Sequence, residues 1–138
     1  MKVDQATSRD VKVARPQQPL RDVAKIMADE DIGSMPVGDN DQFVGMITDR
    51  DIAVRAVAQG LGPETLVSKI MSTDVKYCFV DEDVERVAQN LREVQLHRLP
   101  VVNREKRLVG ILALADLANK DQNGAAAIAV EGISRPAR

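Results

Sequence analysis

The chain repeats itself, and that repeat limits its fold more than any single residue does. Val3-Asp4-Gln5-Ala6-Thr7-Ser8-Arg9-Asp10-Val11-Lys12 returns 64 residues later as Val67-Ser68-Lys69-Ile70-Met71-Ser72-Thr73-Asp74-Val75-Lys76, with Val, Ser, Asp, Val and Lys in register. The same offset carries Leu20, Val23, Ala24 and Met27 onto Val84, Val87, Ala88 and Leu91, and Met35-Pro36-Val37 onto Leu99-Pro100-Val101. Beyond that point the offset is 65, so that Val44-Gly45-Met46-Ile47 matches Val109-Gly110-Ile111-Leu112 and Asp51-Ile52-Ala53 matches Asp116-Leu117-Ala118. Self-similarity at a fixed period marks a duplicated structural unit. The single insertion falls between Gly38-Asp39-Asn40-Asp41 and Asn103-Arg104-Glu105-Lys106, polar turn-forming stretches where a change of length costs little.

Each copy reads as the same succession of elements. A short apolar turn (around Val3; Val67 to Met71) leads to a strand (Val11 to Ala14; Val75 to Val80). A helix follows, from Pro19 to Asp29 and from Asp83 to Val94, with apolar residues at i, i+3, i+4 and i+7. Pro19 and Asp83 suit helix starts. Two strands with a tight turn come next, Ser34 to Gly38 with Phe43 to Ile47, and Arg98 to Val102 with Leu108 to Leu112. A last helix starts near Thr48, its partner near Ala113. The fold class is α/β in the α+β sense: two β-α-β-β-α repeats packed with pseudo-two-fold symmetry, because one three-stranded unit cannot cover both of its faces. The repeats span 3–64 and 65–120, and 121–138 form a C-terminal helix or tail.

Composition narrows the function. Aromatic residues are 2% of the chain, so its core is aliphatic and any ligand pocket has few rings to stack on. A net charge of -2 gives no broad basic face for nucleic acid. The single cysteine, Cys78, excludes an internal disulfide, and no apolar run reaches the roughly 18 residues of a membrane span. Neither a signal peptide nor a transition-metal set is visible. These features lead to the expectation of a soluble, cytoplasmic protein.

The Pro-Val step before each hairpin, together with Gly45-Met46-Ile47-Thr48-Asp49-Arg50-Asp51-Ile52, resembles the CBS (cystathionine-beta-synthase) domain, which occurs in pairs called Bateman modules. The resemblance covers residues 3 to 120, and extends to small bacterial proteins made only of a CBS pair, the hypoxic-response type among them. It implies a non-catalytic regulatory module that binds an adenine nucleotide, AMP foremost, with a homodimer and an effector protein as its partners. It also implies roles for particular residues. Asp51 holds the ribose hydroxyls and Thr48 contacts phosphate; Val13 and Ala14 wall the adenine. Arg98 reaches phosphate from the other copy, and Asp116 is the second copy's ribose ligand. The second copy carries Ala113 in place of Thr48, so one strong site and one weak one are expected.

The residues also permit plainer readings. Thr48 with Asp51 three places on is a capping box, which satisfies a helix end without any ligand. Its chemistry equally suits a nucleotide, since a helix start favours anions and a carboxylate accepts from a diol. Arg50 either approaches phosphate or pairs with a carboxylate. Arg98 also reads as a solvated strand-end charge, His97 as a surface imidazole and Cys78 as a small buried hydrophobe. The acidic run Asp81, Glu82, Asp83 and Glu85 fits a helix dipole. With no nucleophile-base pair and no P-loop, catalysis is not expected. The alternative function is a ligand-independent dimerisation module using apolar residues near Ile128, Val130 and Ile133.

Overall fold

The computed structural model describes residues 1–91 and 98–113. In chain order the elements are α1 (Val3–Ala6), α2 (Leu20–Glu30), β1 (Ser34–Asp39), β2 (Gln42–Thr48) and α3 (Asp49–Asp51). A π-helical turn (Ile52–Ala56) and a 3-10 turn (Val57–Gln59) continue α3. There follow α4 (Val67–Ile70), β3 (Cys78–Phe79), α5 (Val84–Leu91), β4 (Arg98–Val102) and β5 (Leu108–Ala113). Mixed helix and small sheets make this an α+β fold.

The two copies build the same hairpin. In the first, Ser34 stands opposite Thr48 and Val37 opposite Gly45; in the second, Arg98 stands opposite Ala113 and Val101 opposite Gly110. Both ladders slip at the corresponding step, Val37/Gly38 and Val101/Val102. The inserted residue lies in the turn. Asn40 and Asp41 both have positive φ (50° and 69°), forming a two-residue turn between Asp39 and Gln42. The second hairpin is longer: the Asn103 amide donates to the Arg107 carbonyl, Lys106 has φ 62°, and Asn103 Oδ1 accepts from the Glu105 and Arg107 amides.

The strand expected over Val11 to Ala14 is reduced to one bridge, Ala14 beside Val37 in parallel, whereas the second copy pairs Cys78 with Val101 and Phe79 with Val102. Pro16 accounts for the difference. Its counterpart, Val80, donates its amide to the Val102 carbonyl at 2.9 Å. Proline has no N–H to give, and the ladder stops.

The chain divides into two compact units, which are not simple halves. One is Val11–Val75; the other joins Met1–Asp10 to the described residues from Lys76 onward. Thus the first residues of copy one build onto the hairpin of copy two: the amides and carbonyls of Ser8 and Ile111 bond reciprocally, both at 2.9 Å. Ser72 and Met46 make the equivalent pair in the other unit at 2.8 and 2.9 Å. Glycine permits both approaches. A Cβ on Gly45 would stand 2.4 Å from the Ser72 carbonyl oxygen, and one on Gly110 would stand 2.2 Å from that of Ser8.

Each unit has its own aliphatic core. Leu20, Val23, Met27, Met35, Val37, Ile47, Val67 and Ile70 fill one, among others. Val3, Ala6, Cys78, Val84, Val87, Leu99, Val101 and Leu112 fill the other. Fully burying such a side chain contributes about 1.5–3 kcal/mol. Ala24, expected on the buried stripe of α2, is exposed, whereas its counterpart Ala88 is buried. Ala24 borders a cavity of about 170 Å³ that Leu20, Ile52, Ala56 and Val57 also line.

Candidate ligand site

The site begins where β2 runs into α3. Thr48 ends the strand in extended geometry (φ -121°, ψ 161°) and Asp49 starts the helix. The Asp51 amide donates to Thr48 Oγ1 at 3.0 Å, and the Thr48 amide donates to Asp51 Oδ2 at 3.0 Å. The capping box is therefore complete in both directions. It fixes both side chains while leaving each with unused capacity. The Thr48 hydroxyl keeps its hydrogen to donate, and Asp51 keeps its second oxygen to accept. Both residues are half-buried. The cap geometry is therefore compatible with the ligand reading.

Five expected site residues, Val13, Ala14, Thr48, Arg50 and Asp51, lie in the Val11–Val75 unit. Val13 is 42% exposed, its Cγ1 3.2 Å from where a Cβ on Gly38 would stand, whereas Ala14 is fully buried in the core. The Ala14 amide donates to the Pro36 carbonyl and its carbonyl accepts from the Gly38 amide, so β1 uses both its backbone groups. Of the two, Val13 is the one with surface to offer a ligand. The Arg50 side chain is exposed. Arg98 belongs to the other unit, at the first position of β4. Asp116 and His97 lie outside the described residues, as does the tail with Ile128, Val130 and Ile133.

Sequence reasoning passes over Asp49, although it stands inside the motif. Its amide donates to the Gly33 carbonyl at 2.9 Å, and its Oδ1 accepts from the Arg50 amide at 2.8 Å. The pattern Thr-x-x-Asp draws attention to its two ends and hides the residue between them.

The second unit replaces this arrangement at Ala113, which holds the Thr48 position opposite Arg98 but has no hydroxyl. Nearby, the β3 segment carries two of the chain's three Phe and Tyr rings. Tyr77 and Phe79 meet edge to face at 5.7 Å, and the Arg104 guanidinium lies 4.0 Å above Phe79 while pairing with Asp81 at 2.7 and 2.9 Å. That pairing holds the Asp81 carboxyl below its ordinary range. Between the two in sequence, Cys78 belongs to the core, where burial and then the nearby Glu82 carboxylate push its thiol up to about 12. Among the described residues no three His, Cys, Asp or Glu side chains cluster as a metal site, and no helix is long and apolar enough to cross a membrane.

Two units that repeat one hairpin, each receiving the other copy's leading segment, define a tandem α+β module. The chain belongs to the CBS domain family, whose model matches residues 3–57 and again 67–123. The CBS domain-containing protein YhcV of Bacillus subtilis is 37% identical over 133 residues, covering 96% of this chain and 94% of that one. Hypoxic response protein 1 of Mycobacterium tuberculosis is 38% identical over 101 residues, covering 72% of this chain and 70% of that one. A crystal structure of hypoxic response protein I with two coordinated zinc ions superposes with a TM-score of 0.78 at 30% identity, covering 88% of this chain and 99% of that one. The CBS domain pair of protein MJ0100, solved in complex with 5′-methylthioadenosine and S-adenosyl-L-methionine, superposes with a TM-score of 0.72 at 29% identity, covering 86% and 94%.

Proposed function

We propose that the chain is a regulatory, non-catalytic module of the cytoplasm that binds an adenosine compound at one main site, built on Thr48 and Asp51. The completed capping box carries this reading. It presents a hydroxyl hydrogen and a carboxylate oxygen in fixed positions, as a ribose diol and a neighbouring polar group require. The adenosine ligands of the MJ0100 pair support the class of ligand, and AMP is the member that the sequence puts first. Val13 supplies apolar surface, and Arg50 and Arg98 are the candidate cations. Ala113 makes the second copy the weaker site, with Asp116 its remaining candidate. Binding acts on a partner, an effector protein or a second copy, only through a difference in affinity between two arrangements.

A homodimer is part of the proposal. Val54, Val57 and Leu66 are 45%, 68% and 43% exposed, in the unit that holds the apolar cavity beside Ala24. Exposed apolar residues of this kind offer a second copy surface to bury. A chain that dimerises identically with and without ligand would favour the interaction module over the sensor.

A thermal-shift panel with adenosine, AMP, ADP, ATP, S-adenosylmethionine and NADH tests the sensor. A ligand at about a hundred times its Kd adds roughly 2.7 kcal/mol, or about 5–10 °C in a chain of this size. No shift with any compound would refute the reading.

A further inference from the structure

We infer that the unit joining Met1–Asp10 to the described residues from Lys76 onward carries a separate ligand site, for a small zwitterion of the amino-acid type with an aliphatic body. The short helix α1 docks on the segment that follows β3. The Val3 amide donates to the Glu82 carbonyl at 2.9 Å, and the Asp4 amide to the Val80 carbonyl at 3.1 Å. Beside this junction opens a cavity of about 660 Å³, within the range of small-molecule sites. Every described lining residue belongs to this one unit. Val109 borders the cavity near the start of β5, whereas Ala113, the counterpart of Thr48, ends that strand. The two positions are roughly 13 Å apart along a strand, so the cavity is distinct from the second copy's nucleotide position.

The lining chemistry selects the ligand class. Val80 and Val109 are half-buried, pack against the core and give an apolar wall. Lys2 and Arg9 bring two cations, and Asp4 and Asp81 two carboxylates. A ligand of one charge meets attraction and repulsion there in equal number. An α-amino acid carries its ammonium and carboxylate on one carbon, so it needs an acid and a cation side by side. Arg9 and Asp4 are such a pair: one guanidinium nitrogen donates to Asp4 Oδ1, leaving further N–H groups on Arg9 and Oδ2 on Asp4. The other groups are also held by partners and keep bonding capacity. Gln5 Oε1 accepts from the Lys2 amide at 2.8 Å, so its NH2 end is left to donate. Arg104 grips both oxygens of Asp81 at 2.7 and 2.9 Å, and each oxygen keeps a lone pair. Exposed ion pairs contribute little by themselves, so sharing them with a ligand costs little. The other unit has Leu66, Ser68, Thr73 and Gln17 where this one has Lys2, Asp4, Arg9 and Asp81, and none of the four is charged. The shared fold therefore does not require the mixed charge.

Heteronuclear NMR titration of the full chain with L-leucine tests this, beside isocaproate, which lacks the ammonium, and isoamylamine, which lacks the carboxylate. Millimolar leucine is expected to shift the Gln5 side-chain amide and the Val80 and Val109 backbone amides. Each single-charge analogue is expected to bind more weakly, by on the order of five- to tenfold. Arg9→Gln and Asp81→Asn are expected to weaken leucine by a similar factor, and Lys69→Gln, at the Gln5 position of the other unit, to leave it unchanged. The absence of shifts at Gln5, Val80 and Val109, or an analogue binding as tightly as leucine, would overturn the inference. Leucine binding is expected to survive Asp51→Ala, so it stands or falls apart from the adenosine reading. Its loss in that variant would place the leucine in the other unit and overturn the inference as well.

Discussion

Thr48 and Asp51 hold one another through two hydrogen bonds of 3.0 Å, the amide of each donating to the other's side chain. The same pair closes a helix and presents a polar edge. On the proposed ligand reading, stability and binding are coupled at this point, and substitution separates them. Thr48→Ala removes the cap acceptor and is expected to cost about 1 kcal/mol. Urea denaturation reads that cost as a lower midpoint with an unchanged slope. Thr48→Ser keeps the hydroxyl and is expected to recover most of it.

Gly45 and Gly110 admit another chain segment against their α-carbons. Gly45→Ala sets a methyl 2.4 Å from the Ser72 carbonyl oxygen, a backbone atom that cannot turn aside. It is expected to cost about 1–3 kcal/mol or more. Gly62, where an added methyl would meet nothing within 4 Å, is the control. Gly62→Ala is expected to leave the urea midpoint nearly unmoved, and equal losses in the two variants would contradict the packing described.

Ile70 lies in α4, the segment of copy two that enters the core of the Val11–Val75 unit with Met35 and Ile47. It is 1% exposed. Ile70→Ala is expected to destabilise by about 2–5 kcal/mol. A loss below about 1 kcal/mol in chemical denaturation would show that the segment does not dock there.

The buried Cys78 thiol makes stability depend on alkaline pH. Its folded value is about 12 against an ordinary 9.0, so above pH 9 the unfolded chain releases a proton that the folded chain retains. Stability must then fall as pH rises from about 9 towards 12, by up to about 1.4 kcal/mol per unit. Cys78→Ala is expected to flatten this slope relative to wild type in urea titrations at about pH 8, 9 and 10. Thiol reagents should react with native Cys78 much more slowly than with the unfolded chain.

Much of the fold is legible from residue patterns because those patterns follow local physics. The apolar spacing of Leu20, Val23 and Met27 places α2, and the Pro-Val steps place β1 and β4. The one-residue insertion between the hairpins emerges as a longer turn ending at Lys106. Other features depend on information that periodicity does not hold. Pro16 shortens the first parallel strand, although Val11 to Ala14 matches the strand pattern. The repeat cannot say which hairpin Ser8 and Ser72 join, because both copies offer the same glycine. At the site, Thr48 and Asp51 are visible as a motif, but the motif cannot show that Asp49 uses the Arg50 amide or that Ala14 has spent its backbone groups on β1.

The most direct test of the ligand reading is the stoichiometry of adenosine binding to wild type and Asp51→Ala, measured by isothermal titration calorimetry on chains with matched circular dichroism. The account predicts one dominant site per chain in wild type and its loss in Asp51→Ala. Undiminished binding in Asp51→Ala would contradict it and leave Thr48 and Asp51 as a helix cap alone.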